Sequence, residues 1–216
     1  MQVEIFSDVV CPWCYIGKRR FEAALADFAN ADDVTVTYRS FQLDPDAPPR
    51  STESIEQHLA DKYGRTLEQA REMNQGVTDL AAGVGLDFHL EKAQRANTFD
   101  AHRLLHLAAA HGKQAALAER LLDAYFTQGA LVSDHAELTE QAVAAGLDRA
   151  EVTAALAGDE YAEQVREDFG LAHRFGVTGV PFFVFDRKYG VSGAQESAVF
   201  TDVLNQVWSD TEHAGI

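Results

Sequence analysis

The sequence predicts an α/β fold that is interrupted by a long all-helical insertion. Strand and helix patterns alternate at both ends of the chain, the middle shows helical patterns only, and the two cysteines stand at a strand-to-helix junction. With 216 residues, 46% of them hydrophobic and 24% charged, the chain has the composition of a globular protein with a large core. We therefore expect one discontinuous α/β domain, residues 1–50 and 159–216, and a helical insertion domain at residues 51–158.

The first 50 residues predict a strand–helix–strand unit. Residues 3–6 alternate as a β-strand does, and apolar residues at helical spacing follow. Residues 34–41 are rich in β-branched side chains and predict a second strand, which should pair in parallel with the first through a right-handed crossover. Residues 42–49 hold three of the five prolines, so regular structure is expected to stop there.

Residues 51–158 contain helical patterns separated by capping residues and glycines. The expected helices run from Ser51 or Thr52 to Gly64, from Thr66 to Ala82, from Asn97 to His111, from Ala115 to Phe126, from Ser133 or Asp134 to Ala145, and from Asp148 to Ala157. Strand signals then return at the C-terminal end of the chain. The expected elements there are a helix at 160–175, a core strand at 181–185, a partner strand at 191–194 that completes a hairpin, and a final helix at 196–208.

The chain is strongly acidic. Its 34 Asp and Glu residues outnumber its 18 Lys and Arg residues, which gives a formal net charge of −16. Nucleic acids and anionic membranes attract basic surfaces, so neither is an expected partner. No apolar run approaches the roughly 20 residues of a membrane span, and the first predicted strand begins too early to leave room for a signal peptide. These features predict a cytoplasmic protein.

The segment Cys11-Pro12-Trp13-Cys14 carries the chemistry. A Cys-x-x-Cys at a strand-to-helix junction is typical of a thioredoxin-like redox motif, so we expect a thioredoxin-like fold. Pro12 suits the first turn of a helix. This leaves Cys11 at the helix start, where free N–H groups and the helix dipole favour a thiolate. Cys14 lies one turn further on, placed to close or resolve a disulfide. We expect Cys11 to be the nucleophile and Cys14 the resolving thiol.

The two cysteines and the histidines of the helical middle also allow structural and metal-binding interpretations. Two merely structural thiols would leave Pro12 unexplained, and a zinc site needs about four ligands, whereas the chain has no second cysteine pair. His102 and His106 have the spacing of a zinc-binding pair, but no glutamate follows His102, so we expect no metal. They are expected on a polar face or at the edge of the core.

Three further features lie near the cysteines. Trp13 is expected either to present an apolar contact to a substrate or to be a merely exposed aromatic. Asp8 either shapes the surroundings of the thiolate or serves as a loop or capping residue. The basic run at residues 18–20 is expected to form a solvated face.

Pro181 starts a predicted strand, where proline is tolerated. A trans peptide bond is the default expectation there, because only about 5–6% of X-Pro bonds are cis.

Several segments together resemble the DsbA family of the thioredoxin superfamily, and more narrowly its cytoplasmic FrnE-like branch. The matching segments are residues 7–17 (SDVVCPWCYIG), 41–45 (FQLDP), 97–102 (NTFDAH), 176–185 (GVTGVPFFVF) and 193–195 (GAQ). The resemblance implies that Val180-Pro181 is a cis-proline loop packed beside the cysteines. There the Val180 backbone would pair with an extended substrate segment. The resemblance also suggests Asn97 and His102 as residues lining a groove over the cysteine pair.

The chain departs from this pattern in one respect and from a related group in two. Some FrnE-like proteins have a second cysteine pair near the C-terminus, which is absent here, so an internal relay between two pairs is excluded. The glutathione-dependent relatives, kappa-class transferases and chromene-carboxylate isomerases, generally have serine at the position of Cys11. They also have an Asp-Arg-type segment near Gln195, and this chain has neither feature.

The favoured hypothesis is a thiol–disulfide oxidoreductase that acts on protein or small-molecule disulfides or thiols. It needs no cofactor beyond the Cys11–Cys14 pair, with glutathione as a candidate co-substrate. The alternatives are a glutathione-dependent isomerase or transferase, which would not need Cys14, and a binding or chaperone-like module, which would need neither cysteine. The sequence predicts no particular oligomeric state and no particular substrate.

Overall fold

A computed structural model gives the architecture and describes residues 1–213. Four strands form one sheet in the order β2-β1-β3-β4. They are β1 (Gln2–Ser7), β2 (Thr35–Ser40), β3 (Phe182–Phe185) and β4 (Tyr189–Ser192). β1 and β2 pair in parallel, with Gln2 opposite Thr35, while β3 pairs antiparallel with both β1 and β4. The mixed α/β fold and the parallel pairing of the first two strands are confirmed.

The part of the chain that the structure describes also contains nine α-helices. They are α1 (Pro12–Ala26), α2 (Ile55–Tyr63), α3 (Leu67–Ala82), α4 (Phe99–Ala110), α5 (Gln114–Asp123), α6 (His135–Ala144), α7 (Arg149–Ala157), α8 (Ala162–Arg174) and α9 (Ser197–His213). A short π-helix, Ala124–Gln128, continues α5. None of these helices, within residues 1–213, is long and apolar enough to cross a membrane.

The predicted caps hold for three helices and fail for one. Thr66 forms a capping box with Gln69 at the start of α3, and Asp134 and Asp148 cap α6 and α7. The cap of α2 is Ser54, whose Oγ accepts a hydrogen bond from Gln57 N at 3.1 Å, and not Ser51 or Thr52. Only Ser54 stands directly before the first helical residue, where a side chain can reach the free N–H groups.

The terminal hairpin is tighter than predicted. Lys188 N donates to Phe185 O at 3.0 Å, and the two residues between them, Asp186 and Arg187, both have positive φ, 46° and 56°. Such a turn lets the second strand begin at Tyr189 rather than at Val191. The predicted strand at 191–194 is therefore wrong by two residues.

The hydrophobic core runs through both ends of the chain and the helical middle. Phe183 of β3 lies 5.6 Å from the ring of Phe21 on α1 and 4.6 Å from that of Phe200 on α9. The same buried cluster includes Leu104 of α4 and Leu121 of α5. Burial of each such side chain contributes roughly 1.5–3 kcal/mol. The core is continuous, so it shows no boundary between an α/β domain at residues 1–50 and 159–216 and a helical insertion domain at residues 51–158. That division into two domains stays a prediction.

A glutamine side chain closes the outer edge of the sheet. The amide of Gln114, at the start of α5, accepts from Tyr38 N and donates to Tyr38 O, both at 2.9 Å. In this way the side chain replaces a neighbouring strand along β2. The contact also places α5 against the sheet and next to α1, the helix that begins at the cysteines.

Candidate active site

Cys11 is the N-cap of α1, and Pro12 occupies the first turn of that helix. The backbone of Cys11 is extended, with φ −95° and ψ 112°, and its carbonyl accepts a hydrogen bond from Cys14 N at 3.0 Å. This is the start of a helix, where unpaired N–H groups and the dipole give a positive local field. Both cysteines are free thiols, and each is only 3% exposed. The local prediction for the helix start is confirmed.

Cys14 is held in a different environment one turn into the helix. Burial raises the pKa of the Cys14 thiol well above its ordinary value, and the neighbouring Cys11 sulfur acts in the same direction. Hydrogen bonding to the Ser7 side chain and to the Asp8 backbone lowers the pKa of Cys14, but burial dominates. Cys14 is therefore a thiol that loses its proton only with difficulty while Cys11 lies beside it.

The Val180–Pro181 segment packs directly against the cysteines. Its peptide bond is cis, and Cys11 Sγ lies 3.5 Å from Val180 O, to which it donates a hydrogen bond. The helix can approach this segment because residue 17 is glycine. A Cβ at Gly17 would lie 3.0 Å from Pro181 Cγ and 3.3 Å from Ala194 Cα. The structure therefore brings together the cysteines and the loop that the resemblance assigned to them.

A cavity of about 380 Å³ opens beside Cys11. Trp13 and Val180 line it on the cysteine side, α2 and α3 form the opposite wall, and Tyr125 and Phe126 of the π-helix also contribute. Its mouth is apolar. Among residues 1–213 six large hydrophobic side chains are exposed, and four of them line this cavity: Trp13 at 41%, Leu43 at 39%, Tyr63 at 53% and Met73 at 43%. Exposed apolar side chains clustered in this way indicate a binding site.

The structure does not place Asn97 or His102 in the lining of this cavity, which corrects the expectation that they line a groove. Asn97 Nδ2 donates to Pro45 O at 3.0 Å and to Ala47 O at 3.3 Å, so its side chain holds the proline-rich loop in place. That loop presents Leu43 and Ala47 to the cavity instead. His102 is 1% exposed, and its Nε2 lies 3.2 Å from Asp8 Oδ1.

The second histidine of α4 makes a separate contact. His106 Nε2 lies 3.0 Å from Asp168 Oδ2 and 3.2 Å from Ser40 Oγ, so the two histidines face different carboxylates. Within residues 1–213, no group of three or more His, Cys, Asp or Glu side chains is arranged to hold a metal ion. Of the two cysteines, Cys11 is the one that lines the cavity.

The fold and this site define a thioredoxin-fold protein with a dithiol at the start of its first helix and a cis-proline loop beside it. Residues 2–205 match the model of the family described as DSBA-like thioredoxin domain, and the chain belongs to that family. The resemblance to the DsbA family is thereby confirmed. Assignment to its FrnE-like branch stays a prediction.

Solved structures agree with this family. The probable DsbA oxidoreductase SCO1869 from Streptomyces coelicolor is 46% identical, superposes with a TM-score of 0.93, and covers 97% of this chain and 90% of its own. The cytosolic disulfide reductase DsbM from Pseudomonas aeruginosa, solved with GSH, is 17% identical with a TM-score of 0.66, covering 95% and 98%. A 2-hydroxychromene-2-carboxylate isomerase is 15% identical with a TM-score of 0.68, covering 99% of both chains. At such low identities the last two show the fold alone.

Proposed function

We propose that this protein is a thiol–disulfide oxidoreductase that uses Cys11 as nucleophile and Cys14 as resolving thiol. The observation that carries the proposal is the arrangement of the two sulfurs. Cys11 lines an apolar cavity at a helix start, whereas Cys14 is buried behind it with a raised pKa. The 46% identity to a probable DsbA oxidoreductase supports the same activity.

The reaction exchanges two electrons between the cysteine pair and a substrate disulfide. The Cys11 thiolate attacks one substrate sulfur, the substrate S–S bond breaks, and the released substrate thiolate takes up a proton. Cys14 then loses its proton and attacks Cys11 Sγ, which breaks the mixed disulfide and releases the second substrate thiol. The enzyme is oxidised to the Cys11–Cys14 disulfide, and the substrate is reduced to two thiols. The reverse sequence oxidises a dithiol substrate.

The different surroundings of the two sulfurs determine which cysteine attacks first and which attacks second. Because burial raises the pKa of Cys14, this thiol does not compete with Cys11 for the first attack. In the mixed disulfide, Cys11 no longer carries a charge, so one cause of the raised pKa of Cys14 disappears and resolution becomes easier. Pro12 and Pro181 act as support, since each fixes the backbone next to a reacting sulfur.

The substrate side of the site combines a backbone acceptor with an apolar cavity. Val180 lies beside Cys11, where its backbone is available to an extended segment that carries the substrate sulfur. Trp13, exposed next to Cys11, offers an apolar contact. A cavity of about 380 Å³ is within the range of small-ligand sites, which is roughly 300–1,000 Å³. We therefore propose disulfides or thiols with an apolar group next to the sulfur, on a small molecule or a peptide segment.

The same chemistry supports a proposal for the co-substrate that recycles the cysteine pair and for the cellular location of the protein. Glutathione is the proposed co-substrate, because a relative of this fold described as a cytosolic disulfide reductase was solved with GSH. In a reducing cytoplasm, the activity of such an enzyme is expected to be disulfide reduction or isomerisation rather than net disulfide formation. We propose that the protein is cytoplasmic and uses the cysteine pair without a further cofactor or a metal ion.

The deciding experiment is a measurement of the reduction potential of the cysteine pair in glutathione buffers, read as a mass shift after alkylation. Cys14→Ser should trap a mixed disulfide on Cys11, whereas the matched variant Cys11→Ser should trap none. A reversible two-electron couple is the expected result. If no disulfide forms at any ratio of glutathione to glutathione disulfide, the redox function is wrong. Glutathione binding without oxidation, unaffected by Cys14→Ser, would then favour an isomerase or transferase.

A further inference from the structure

A buried carboxylate–histidine pair includes Asp8, which lies three residues before Cys11 in the chain. Asp8 is 1% exposed, and its Oδ2 accepts a hydrogen bond from Leu43 N at 2.8 Å. Its Oδ1 lies 3.2 Å from His102 Nε2, and His102 is also 1% exposed. The mechanism proposed above uses neither side chain. Two ionisable groups buried this completely are costly unless they are paired or functional.

The hydrogen bonds of His102 define the charge of the pair. His102 Nδ1 is buried and has no hydrogen-bond partner among the residues that the structure describes. A proton on that nitrogen would make it a buried N–H donor without an acceptor, which costs free energy. An unprotonated ring nitrogen without a partner costs less. We therefore assign the proton to Nε2, from which it is donated to Asp8. The histidine is then neutral, the carboxylate is ionised, and the pair carries one net negative charge.

The residue that carries this charge is joined to the cysteine segment by its backbone. The Asp8 carbonyl accepts a hydrogen bond from Cys11 N at 3.1 Å, and hydrogen bonding to the Asp8 backbone lowers the pKa of the Cys14 thiol, although burial outweighs it. The charge also reaches the wall of the cavity, because burial and then the Asp8 charge raise the pKa of Tyr125. A negative charge in a buried site acts over several ångströms with little screening.

We propose that the Asp8–His102 pair is a positioning pair that poises the dithiol as an electron donor. This inference rests on the oxidoreductase function. A thiolate on Cys11 is repelled by the fixed negative charge, whereas the Cys11–Cys14 disulfide is neutral and is not repelled. The pair therefore destabilises the reduced enzyme relative to the oxidised enzyme and lowers the reduction potential. Each turnover passes two electrons from the dithiol to a substrate disulfide, releasing two thiols, so the class of reaction that this device favours is disulfide reduction.

The test compares two buried carboxylates that pair with the same helix. Asp8→Asn keeps an oxygen acceptor but removes the charge. The expected result is a roughly tenfold shift of the equilibrium with glutathione toward the reduced enzyme, which corresponds to a rise of about 30 mV in the potential. Asp168→Asn is the control, because Asp168 is 2% exposed and pairs with His106, one turn along α4, but contacts Arg39 and Ser40 rather than the cysteine segment. It should change the equilibrium less than twofold.

Two further measurements separate the outcomes. His102→Gln keeps an N–H donor for Asp8 and should leave the potential within twofold of the native value. A native potential in Asp8→Asn, or an equal shift in Asp168→Asn, would overturn the proposal while leaving the oxidoreductase function intact. If Asp8→Asn does not fold, the ¹⁵N shifts of His102 in the reduced native protein decide. A neutral ring with its proton on Nε2 supports the proposal, and an imidazolium at pH 7 refutes it. Absence of any reversible couple in the native protein would refute the oxidoreductase function itself.

Discussion

Gly17 on α1 lies so close to Pro181 in the cis-proline loop that a side chain at position 17 would force its neighbours to shift. A Cβ at Gly17 would lie 3.0 Å from Pro181 Cγ. The contact fixes the distance between the helix that carries both cysteines and the loop whose Val180 carbonyl lies 3.5 Å from Cys11 Sγ. The absence of a side chain at position 17 therefore shapes the candidate active site as well as the core.

Gly17→Ala should damage the site more than its small size suggests. Overpacking of a tight contact costs about 1–3 kcal/mol, and the strain falls on the loop beside Cys11. We expect a lower unfolding midpoint and slower formation of the mixed disulfide. The control is Gly76→Ala on α3, where an added Cβ meets nothing within 4 Å among residues 1–213. That change should raise stability by up to about 1 kcal/mol through helix propensity and leave exchange unchanged. Equal behaviour of the two variants would contradict a tight Gly17–Pro181 contact.

Filling the cavity should discriminate between large and small reagents. Val77 of α3 lines the cavity without contacting either sulfur in the proposed reaction. In a Cys14→Ser background, Val77→Phe should slow the reaction of Cys11 with benzyl methanethiosulfonate about tenfold, the equivalent of about 1.4 kcal/mol of lost contact. Its reaction with the methyl reagent should change little. Val199→Phe, at an exposed position of α9 outside the cavity, is the control. Equal slowing of both reagents would mean that the cavity does not receive the group next to the sulfur.

Resolution of the mixed disulfide should accelerate with pH. Burial raises the pKa of the Cys14 thiol, so only a small fraction of Cys14 is thiolate at neutral pH, and that fraction grows tenfold per pH unit. The rate of release of a small thiol from Cys11, followed by stopped flow, should rise by about tenfold per unit between pH 6 and pH 8. Cys11 cannot produce this dependence, because its sulfur is already bonded in the mixed disulfide. A plateau below pH 8 would show that Cys14 ionises more easily than its burial indicates.

Sequence reasoning recovered the features of this site that are local in the chain. The helix start at Pro12 and the exposed position of Trp13 depend on neighbouring residues, so a short pattern was sufficient. The resemblance supplied the loop at Val180-Pro181, which no local pattern could have placed beside Cys11. The predicted strand at 34–41 and the caps at Thr66, Asp134 and Asp148 were of the same local kind.

At the candidate site, the wrong or missing predictions involve contacts between distant residues. The resemblance suggests His102 as a groove residue, whereas its ring bonds to Asp8, 94 positions earlier, and is buried. Met73 and Tyr63 belong to helices that carry no motif, so nothing marked them as walls of the cavity. The basic run at residues 18–20 was expected on a solvated face, but Lys18 is only 4% exposed, because a carboxylate from another helix reaches it.

That carboxylate, Glu119 of α5, should make the stability of the protein depend on acidic pH. Burial alone would raise the pKa of Glu119, but hydrogen bonds from Arg19, Lys18 and Tyr15 lower it to about 2. A lowered carboxyl pKa adds stability above the unfolded-state pKa, which is about 4.3, and this stability is lost as pH falls toward the folded value. With the Glu119 side chain 31% exposed, we expect the contribution at pH 7 to be about 2 kcal/mol.

The measurement is urea unfolding of the native protein and Glu119→Gln at pH 7 and pH 3. At pH 7 the variant should be less stable by about 2 kcal/mol, because Lys18 loses a charged partner in a buried position. At pH 3 the native carboxylate is partly protonated in the folded state and fully protonated in the unfolded state, so the difference should shrink. Glu140→Gln, which removes an exposed ion pair with Arg149, should show no measurable effect at either pH. A pH-independent difference for Glu119→Gln would show that packing, rather than charge, joins α5 to the helix that carries the cysteines.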